Sequence, residues 1–286
     1  MRILLIGASG QLGSDLIKNN PGHHIVAPDR KELDVTQSDA IAAAIRDTRP
    51  DWVINTAAFH NVPLCEEQPE RAFRVNCIAV RDLALSCDEH GARLMTFSTD
   101  YVFNGEQRKP YREEDRPEPL QIYGVSKLAG ENIARAVAAE RVVVVRTCGL
   151  YGRSGAASKG GNFVDKRVED GRRIRSLEMG CDQIVCPTST EDLSKAVYDL
   201  ISNPSLGSGI YHLVNEGECT WYEFTKSIYE HLGIEIQVNP VDRGGRTNGM
   251  RRPLYSVLAN TRASALGITL PPWKEALKGY LQGGGK

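Results

Sequence analysis

The sequence predicts an α/β fold, a doubly wound parallel sheet with a smaller C-terminal α/β lobe, and three observations carry that prediction. Short β-branched runs alternate with helical stretches through the first half of the chain, the pattern of βαβ units that build a parallel sheet covered by helices on both faces. A glycine-rich turn, Gly7-Ala8-Ser9-Gly10-Gln11-Leu12-Gly13, joins the first run to the first helical stretch. The second half carries capped helices separated by Gly- and Pro-containing loops.

Five strands follow from continuous apolar runs at 2–6, 24–28, 51–55, 93–98 and 141–146, because a strand buried on both faces has no polar alternation. The helix after the glycine turn places Leu12, Leu16 and Ile17 inward. Further on, Thr188 and Glu191 make a capping box ahead of Leu193, Ala196, Val197, Leu200 and Ile201 at helical spacing. Thr220 and Glu223 repeat the device before Phe224, Ile228 and Leu232, and Gly233 ends that helix. Residues 153–161 are small, polar and basic, which reads either as a plain flexible loop or as a lid over a substrate.

At 286 residues the chain is long enough to bury a substantial core, as one compact unit with two lobes. A net charge of -1 with acidic and basic residues interleaved leaves no broad basic footprint, so nucleic acid is not an expected partner. The opening run Arg2-Ile3-Leu4-Leu5-Ile6 is too short for a signal peptide. No other run approaches a membrane span, so the expectation is a cytoplasmic protein with no membrane partner. The seven cysteines show no CxxC pair and no Cys/His cluster at zinc spacing; they read as buried or incidental thiols in a reducing cytosol, and no metal site is expected.

The glycine turn has the context of a dinucleotide site, with a strand before it and a helical pattern after it. Gly7, Gly10 and Gly13 permit a tight turn and close backbone approach, and the amides of Gln11, Leu12 and Gly13 at a helix start suit a pyrophosphate. The spacing is GxxGxxG rather than GxGxxG. Asp29, at the end of the second run, can accept hydrogen bonds from the adenosine ribose. Arg30 beside it can stack on adenine or pair with a 2′-phosphate, which leaves NADPH and NADH both open. The arrangement is Rossmann-type, with 1–150 the dinucleotide-binding domain and 151–286 mainly a substrate-binding lobe from which some segments return to the first domain.

Tyr123 and Lys127 stand at i and i+4 on one helical face. A tyrosine hydroxyl is a poor acid–base group at neutral pH until a neighbouring ammonium stabilises the phenolate. Lys127 supplies that charge and can hold a nicotinamide ribose. The motif is common on surface helices and gains weight from Ser98-Thr99-Asp100 at the carboxyl end of a strand, where sheets of this type place ligands. From there Thr99 can orient a substrate carbonyl beside Tyr123.

These strings, with Leu33-Asp34-Val35, Asn55-Thr56-Ala57-Ala58-Phe59, Val75-Asn76, Ser98-Thr99-Asp100-Tyr101-Val102-Phe103, Tyr123-Gly124-Val125-Ser126-Lys127 running on to Gly130-Glu131, Gly161-Asn162-Phe163 and Arg252-Pro253, resemble the extended short-chain dehydrogenase/reductases, and among them the dTDP-4-dehydrorhamnose reductase family, nearly end to end. The resemblance implies a Thr99, Tyr123 and Lys127 triad, with Asp34 and Val35 at the adenine edge and Ala57, Ala58 and Asn76 near the cofactor. Thr99, Asp100 and Asn162 are then expected to meet a nucleotide-sugar substrate. The implied reaction is hydride transfer from NADPH or NADH to the C4 ketone of a 6-deoxyhexose.

Related 4,6-dehydratases carry an Asp-Glu pair after the threonine, whereas this chain reads Thr99-Asp100-Tyr101, which argues for simple ketone reduction. Two further readings stay open. One is a non-catalytic regulatory subunit like the β subunit of methionine adenosyltransferase; the other is an epimerase that returns the hydride. Family members usually carry a Trp beside the sugar soon after the Arg-Thr pair, where this chain has Cys148-Gly149-Leu150, implying a more open pocket. His60 and Asn61 lie in a loop able to meet the substrate or the nicotinamide end, and His60 is left outside the catalytic set. Some relatives dimerise around a metal; a homodimer is compatible with the sequence, and no local ligand cluster points to a metal in it.

Overall fold

The computed structural model describes residues 1–154, 161–247 and 249–283. Six parallel strands form the central sheet. The first five are β1 (Arg2–Ile6), β2 (His24–Val26), β3 (Trp52–Asn55), β4 (Arg93–Thr99) and β5 (Val142–Thr147), and the sixth is Gly209–His212. Across the sheet the order is β2-β1-β3-β4-β5 and then Gly209–His212, all in parallel register. Chain direction across the sheet reverses between β1 and β3, the switch point where such sheets open a crevice for a ligand.

All five expected strands form, with adjusted ends. β2 stops at Val26 rather than reaching Pro28, since proline has no N–H for the ladder. β4 runs one residue further, and Thr99 pairs with Thr147 of β5. Each face of the sheet buries its own core. Leu5, Ile54, Met95 and Val143 face one cluster, and Leu4, Val53, Leu94 and Val144 face the other, as alternate Cβ directions require.

The helix Gln11–Lys18 buries Leu12 and Leu16, but Ile17 is exposed, correcting the expected inward set. Asp15 takes the inward place, accepting a hydrogen bond from Thr190 Oγ1. A helix of eight residues presents one narrow face to its neighbour, and that neighbour, the helix Thr190–Ser202, meets it with a hydroxyl. Leu193, Ala196, Val197, Leu200 and Ile201 are all buried as the spacing indicated.

The Thr188–Glu191 capping box does not form. That helix starts at Thr190 with Ser189 as N-cap and no side-chain cap. Thr188 lies instead in the strand Thr188–Ser189, paired with Leu150–Tyr151, its hydroxyl donating to the Cys186 carbonyl at 3.0 Å. Glu191 pairs with Lys195 and Lys18. Thr220 and Glu223 do form a reciprocal box, and Gly233 closes that helix in the left-handed region at φ 62°. Its face is narrower than expected, with Phe224 and Ile228 buried and Leu232 exposed.

Beyond the sheet, the helices Phe163–Arg173, Trp221–Leu232 and Trp273–Gln282 enclose a second core of Tyr151, Val164, Phe224, Ile228, Trp273 and Leu277. The pair Ser176–Gly180 and Gln237–Val241 runs parallel beside it. None of the seven cysteines is in a disulfide, and six of them are buried. Among the described residues no helix is long and apolar enough to cross a membrane and no cluster of metal-ligating side chains occurs. Of residues 153–161, those from 155 to 160 lie outside the described residues.

Candidate active site

The glycine turn is dictated by crowding. Gly7 sits at φ 84°, and a Cβ there would stand 2.6 Å from Thr56 Oγ1 and 2.9 Å from Ala57 N. A Cβ on Gly13 would stand 2.3 Å from the Gly7 carbonyl oxygen and 2.7 Å from Ala8 Cα. Both obstacles at Gly13 are backbone, so nothing yields by a rotamer change. The turn is closed by Gly10 N donating to Gly7 O at 3.0 Å. Because Gly10 is the N-cap and offers no side chain, and the first turn holds no acid, the amides of Gln11, Leu12 and Gly13 and the positive dipole end remain for an anion. Gln11 Oε1 is buried there without a partner. These features fit a pyrophosphate.

One expected outcome arises from this turn. Gly13→Ala is expected to weaken dinucleotide affinity by about tenfold or more, since forcing a methyl into packed backbone costs about 1–3 kcal/mol at the place where the backbone must approach the ligand. Fluorescence titration with NADPH checks it, and wild-type affinity in the variant would refute the cradle.

At the outer end of β2, Asp29 Oδ1 accepts the amides of Lys31 at 2.6 Å and Glu32 at 3.0 Å. Arg30 is exposed and lies 3.9 Å from Asp34. Asp34 Oδ1 accepts both the amide and the hydroxyl of Thr36 at 2.9 Å, and the amide bond is the main cause holding its carboxyl below the usual range. Val35 turns inward to the core. Sequence reasoning missed Arg74, whose Nη2 donates to the Thr36 carbonyl. It brings a second guanidinium beside Asp34 from a distant segment.

Ala57 and Ala58 follow β3, with Ala57 N donating to Asn55 Oδ1 at 3.1 Å. Asn76 lies in a π-turn, Arg74–Ile78, and its buried carboxamide is a strut. Its Oδ1 accepts Phe59 N at 2.9 Å, and its Nδ2 donates to Phe59 O at 2.9 Å and to Ser126 Oγ at 3.0 Å. Ser126 Oγ donates on to the Tyr123 carbonyl. Gly130 permits the approach, because a Cβ there would stand 2.1 Å from the Asn76 carbonyl oxygen. Asn76 thus couples the loop after β3 to the helix Ile122–Val137, which carries Tyr123 and Lys127.

Thr99 ends β4 and meets Tyr123 there. Tyr123 faces Thr99, and burial, then the nearby Asp100 charge, push its phenol well above its ordinary value. Thr99 Oγ1 donates to Asp100 Oδ1 at 3.0 Å and accepts Tyr101 N at 3.2 Å. Asp100 is enclosed, its Oδ2 accepting Ser256 Oγ at 2.6 Å and Cys148 Sγ at 3.2 Å. Burial outweighs those bonds and raises its carboxyl above the carboxylate range. Both oxygens are therefore committed to groups of the chain, and Asp100 reaches the cleft through Thr99.

Lys127 is 5% exposed, and burial lowers its ammonium to about 8 while the charge of Glu131 opposes the shift. Glu131 is itself locked to Arg146, with Oε1 accepting Nε at 3.0 Å and Oε2 accepting Nη2 at 2.7 Å. The alkaline limb of activity should reflect this. As pH rises through about 8, Lys127 loses its charge, so kcat/KM is expected to fall. In Glu131→Gln the limb should move to lower pH, because the charge that holds the ammonium up is gone. Profiles measured between pH 6 and 10 check the direction; a limb that moves upward or stays in place contradicts it.

Asn162 is the N-cap of Phe163–Arg173, accepting Asp165 N at 2.9 Å and donating to Gly152 O at 2.7 Å and the Tyr280 hydroxyl at 2.9 Å. None of these contacts involves the reacting centre, so the structure does not bring Asn162 together with Thr99 and Tyr123. Asn61 likewise caps its own helix, accepting Leu64 N, and His60 Nδ1 lies 3.4 Å from the Ala58 carbonyl. Gly149 adopts φ 55°, and the Trp221 indole stands 3.2 Å from where its Cβ would be. An indole from a later helix therefore lies beside the position where the resemblance expected one. The spacing of residues near Gly149 carried no signal for it.

A family model described as the RmlD substrate binding domain matches residues 1–284. The chain is 37% identical over 283 residues to the spore coat polysaccharide biosynthesis protein SpsK of Bacillus subtilis, covering 98% of this chain and 97% of that one. It is 34% identical over 289 residues to a dTDP-4-dehydrorhamnose reductase of Sinorhizobium fredii, covering 97% and 96%. The crystal structure of dTDP-4-dehydrorhamnose reductase from Bacillus anthracis in complex with NADP superposes with a TM-score of 0.92 at 33% identity, over 99% of each chain.

Proposed function

The chain belongs to the RmlD substrate binding domain family, within the extended short-chain dehydrogenase/reductases, and on that premise we propose that it reduces the C4 ketone of a nucleotide-linked 4-keto-6-deoxyhexose, converting dTDP-4-dehydrorhamnose to dTDP-rhamnose with NADPH or NADH. The observation that carries the reading is the meeting of Thr99 and Tyr123 at the carboxyl end of β4, on the same helix as a buried Lys127. The relatives named as dTDP-4-dehydrorhamnose reductases match over nearly the whole length of both chains.

A bound reduced nicotinamide supplies the hydride that C4 accepts. Tyr123 gives its phenolic proton to the ketone oxygen as that oxygen gains charge, and its high proton affinity keeps the acid form ready at neutral pH. Thr99 orients the same oxygen, held in turn by Asp100. The buried ammonium of Lys127 stabilises the phenolate left behind and holds the nicotinamide ribose. Gly7, Gly10, Gln11, Leu12 and Gly13 take the pyrophosphate, and Asp29, Arg30 and Asp34 the adenosine end, with Val35 packed beneath them in the core. Residues 1–150 form the dinucleotide-binding part and 151–286 mainly the sugar-binding part.

The chain from Ser256 through Asp100 to Thr99 makes Asp100 a positioning residue for the threonine rather than a contact to the sugar. Oxidation of NADPH or NADH, followed by absorbance with dTDP-4-dehydrorhamnose generated in situ, tests the reading. Turnover supports it and ranks the two cofactors. Intact dinucleotide binding without ketone-dependent oxidation would sink it.

A further inference from the structure

Tyr123 is the second residue of its helix, Ile122–Val137, in the turn most prone to fray because its amides have no partner within the helix. A proton donor placed there is only as fixed as the groups that hold those amides. Gln121, the N-cap, accepts Gly124 N through its side-chain oxygen at 2.8 Å. The first amide of the helix, Ile122 N, finds its partner far away in the chain, where Glu66 Oε1 accepts it at 2.8 Å across 56 positions. The helix carries no acid in its own first turn, so Glu66 also brings a negative charge to the positive end of its dipole.

Glu66 is held in place from the cofactor side. It lies in the short helix Val62–Glu67, which follows the loop of Ala57, Ala58 and Phe59. Asn61 caps that helix by accepting Leu64 N at 3.2 Å, and beside Glu66 the buried Cys65 thiol donates to the Phe59 carbonyl at 3.4 Å. Phe59 is in turn tied through both its amide and its carbonyl to Asn76. Gly124 lets the first turn of Ile122–Val137 close on the Tyr101 backbone, since a Cβ there would collide with the Tyr101 carbonyl oxygen. The turn that carries Tyr123 is therefore gripped by two segments, the one after β4 directly and the one after β3 through Glu66.

We propose that Glu66 is a positioning residue for Tyr123: its carboxylate closes the first turn of the catalytic helix and ties that turn to the loop where Ala57 and Ala58 stand. The inference rests on the reductase reading above, in which Tyr123 gives up a proton, and adds the group that keeps the phenol in line with the ketone. A misplacement of about 1 Å at a reacting group can cost on the order of a hundredfold in rate. Loss of one capping acceptor loosens the turn for part of the time, so Glu66→Ala is expected to lower kcat by about tenfold. KM and NADPH affinity, which draw on other groups, are expected to stay near wild type.

Steady-state kinetics and amide hydrogen exchange on wild type, Glu66→Ala and Glu66→Gln test the tether. Glu66→Gln keeps an oxygen for Ile122 N and is expected to retain most of the rate. Exchange at Gly124 and Val125 reads the turn without turnover, and it is expected to be about tenfold faster in Glu66→Ala and near wild type in Glu66→Gln. A role confined to stability would lower the melting temperature of Glu66→Ala and leave kcat of the folded enzyme unchanged, which would overturn the proposal. Wild-type exchange in Glu66→Ala, a loss confined to KM, or a glutamine variant as slow as the alanine one would overturn it equally. If the exchange difference is found in a protein that reduces no nucleotide-linked 4-keto sugar, the tether is supported and the reductase reading alone is removed.

Discussion

Replacing Tyr123 by Phe is expected to lower kcat by about three orders of magnitude, within the range contributed by a positioned general acid, while NADPH affinity stays near that of wild type. The phenol is the group facing Thr99, and burial together with Asp100 keeps it protonated at neutral pH. Phe retains the ring that meets Tyr101 edge-on, so packing and cofactor binding should survive while the proton donor is lost. Single-turnover measurement of NADPH oxidation at saturating ketone isolates that step. A loss confined to KM would show that Tyr123 binds the sugar but does not protonate it, and a variant with wild-type kcat would remove Tyr123 from the mechanism.

Glu131→Ala is expected to destabilise the fold by about 3–5 kcal/mol, the cost of leaving one member of a buried ion pair uncompensated. The side chains of Arg146 and Glu131 are 2% and 1% exposed and lie 2.7 Å apart at their closest. Arg146 already has one buried nitrogen, Nη1, without a partner. Losing the carboxylate would strand the whole guanidinium between β5 and the helix Ile122–Val137. Urea unfolding of wild type and variant measures the difference, and a loss below about 1 kcal/mol, the scale of an exposed pair, would contradict the buried pairing. Glu131→Gln separates the two roles of this carboxylate, since it preserves volume while removing the charge that acts on Lys127.

The two capping boxes show where reading from neighbours succeeds and where it stops. Thr220 and Glu223 satisfy each other across three residues, an interaction decided within one helical turn. Thr188 and Glu191 have the same spacing, yet Thr188 is drawn into a strand beside Leu150–Tyr151 and accepts Asn215 N. A competing partner 27 residues away decided the outcome. Ile17 and Asp15 repeat the lesson, because hydrophobicity pointed Ile17 inward while the Thr190 hydroxyl drew Asp15 there instead.

By itself the sequence determined the presence of the five strands, the glycine turn and the i, i+4 pairing of Tyr123 with Lys127, because each follows from sterics, hydrogen bonding or helical geometry among residues close in the chain, whereas the burial of β2 on both faces did not hold, since it lies at the sheet edge with His24 exposed. Only the tertiary structure decided what surrounds them. Ser256 reaches Asp100 across 156 positions and Arg252 reaches Tyr101 across 151, while Cys148 closes the carboxylate from a third element. It also turned Asn162 into a helix cap and set Trp221 against Gly149. Buried polar groups must find partners wherever the fold supplies them, and the identity of a partner contributed by a distant segment leaves no periodicity or spacing in the sequence around either residue.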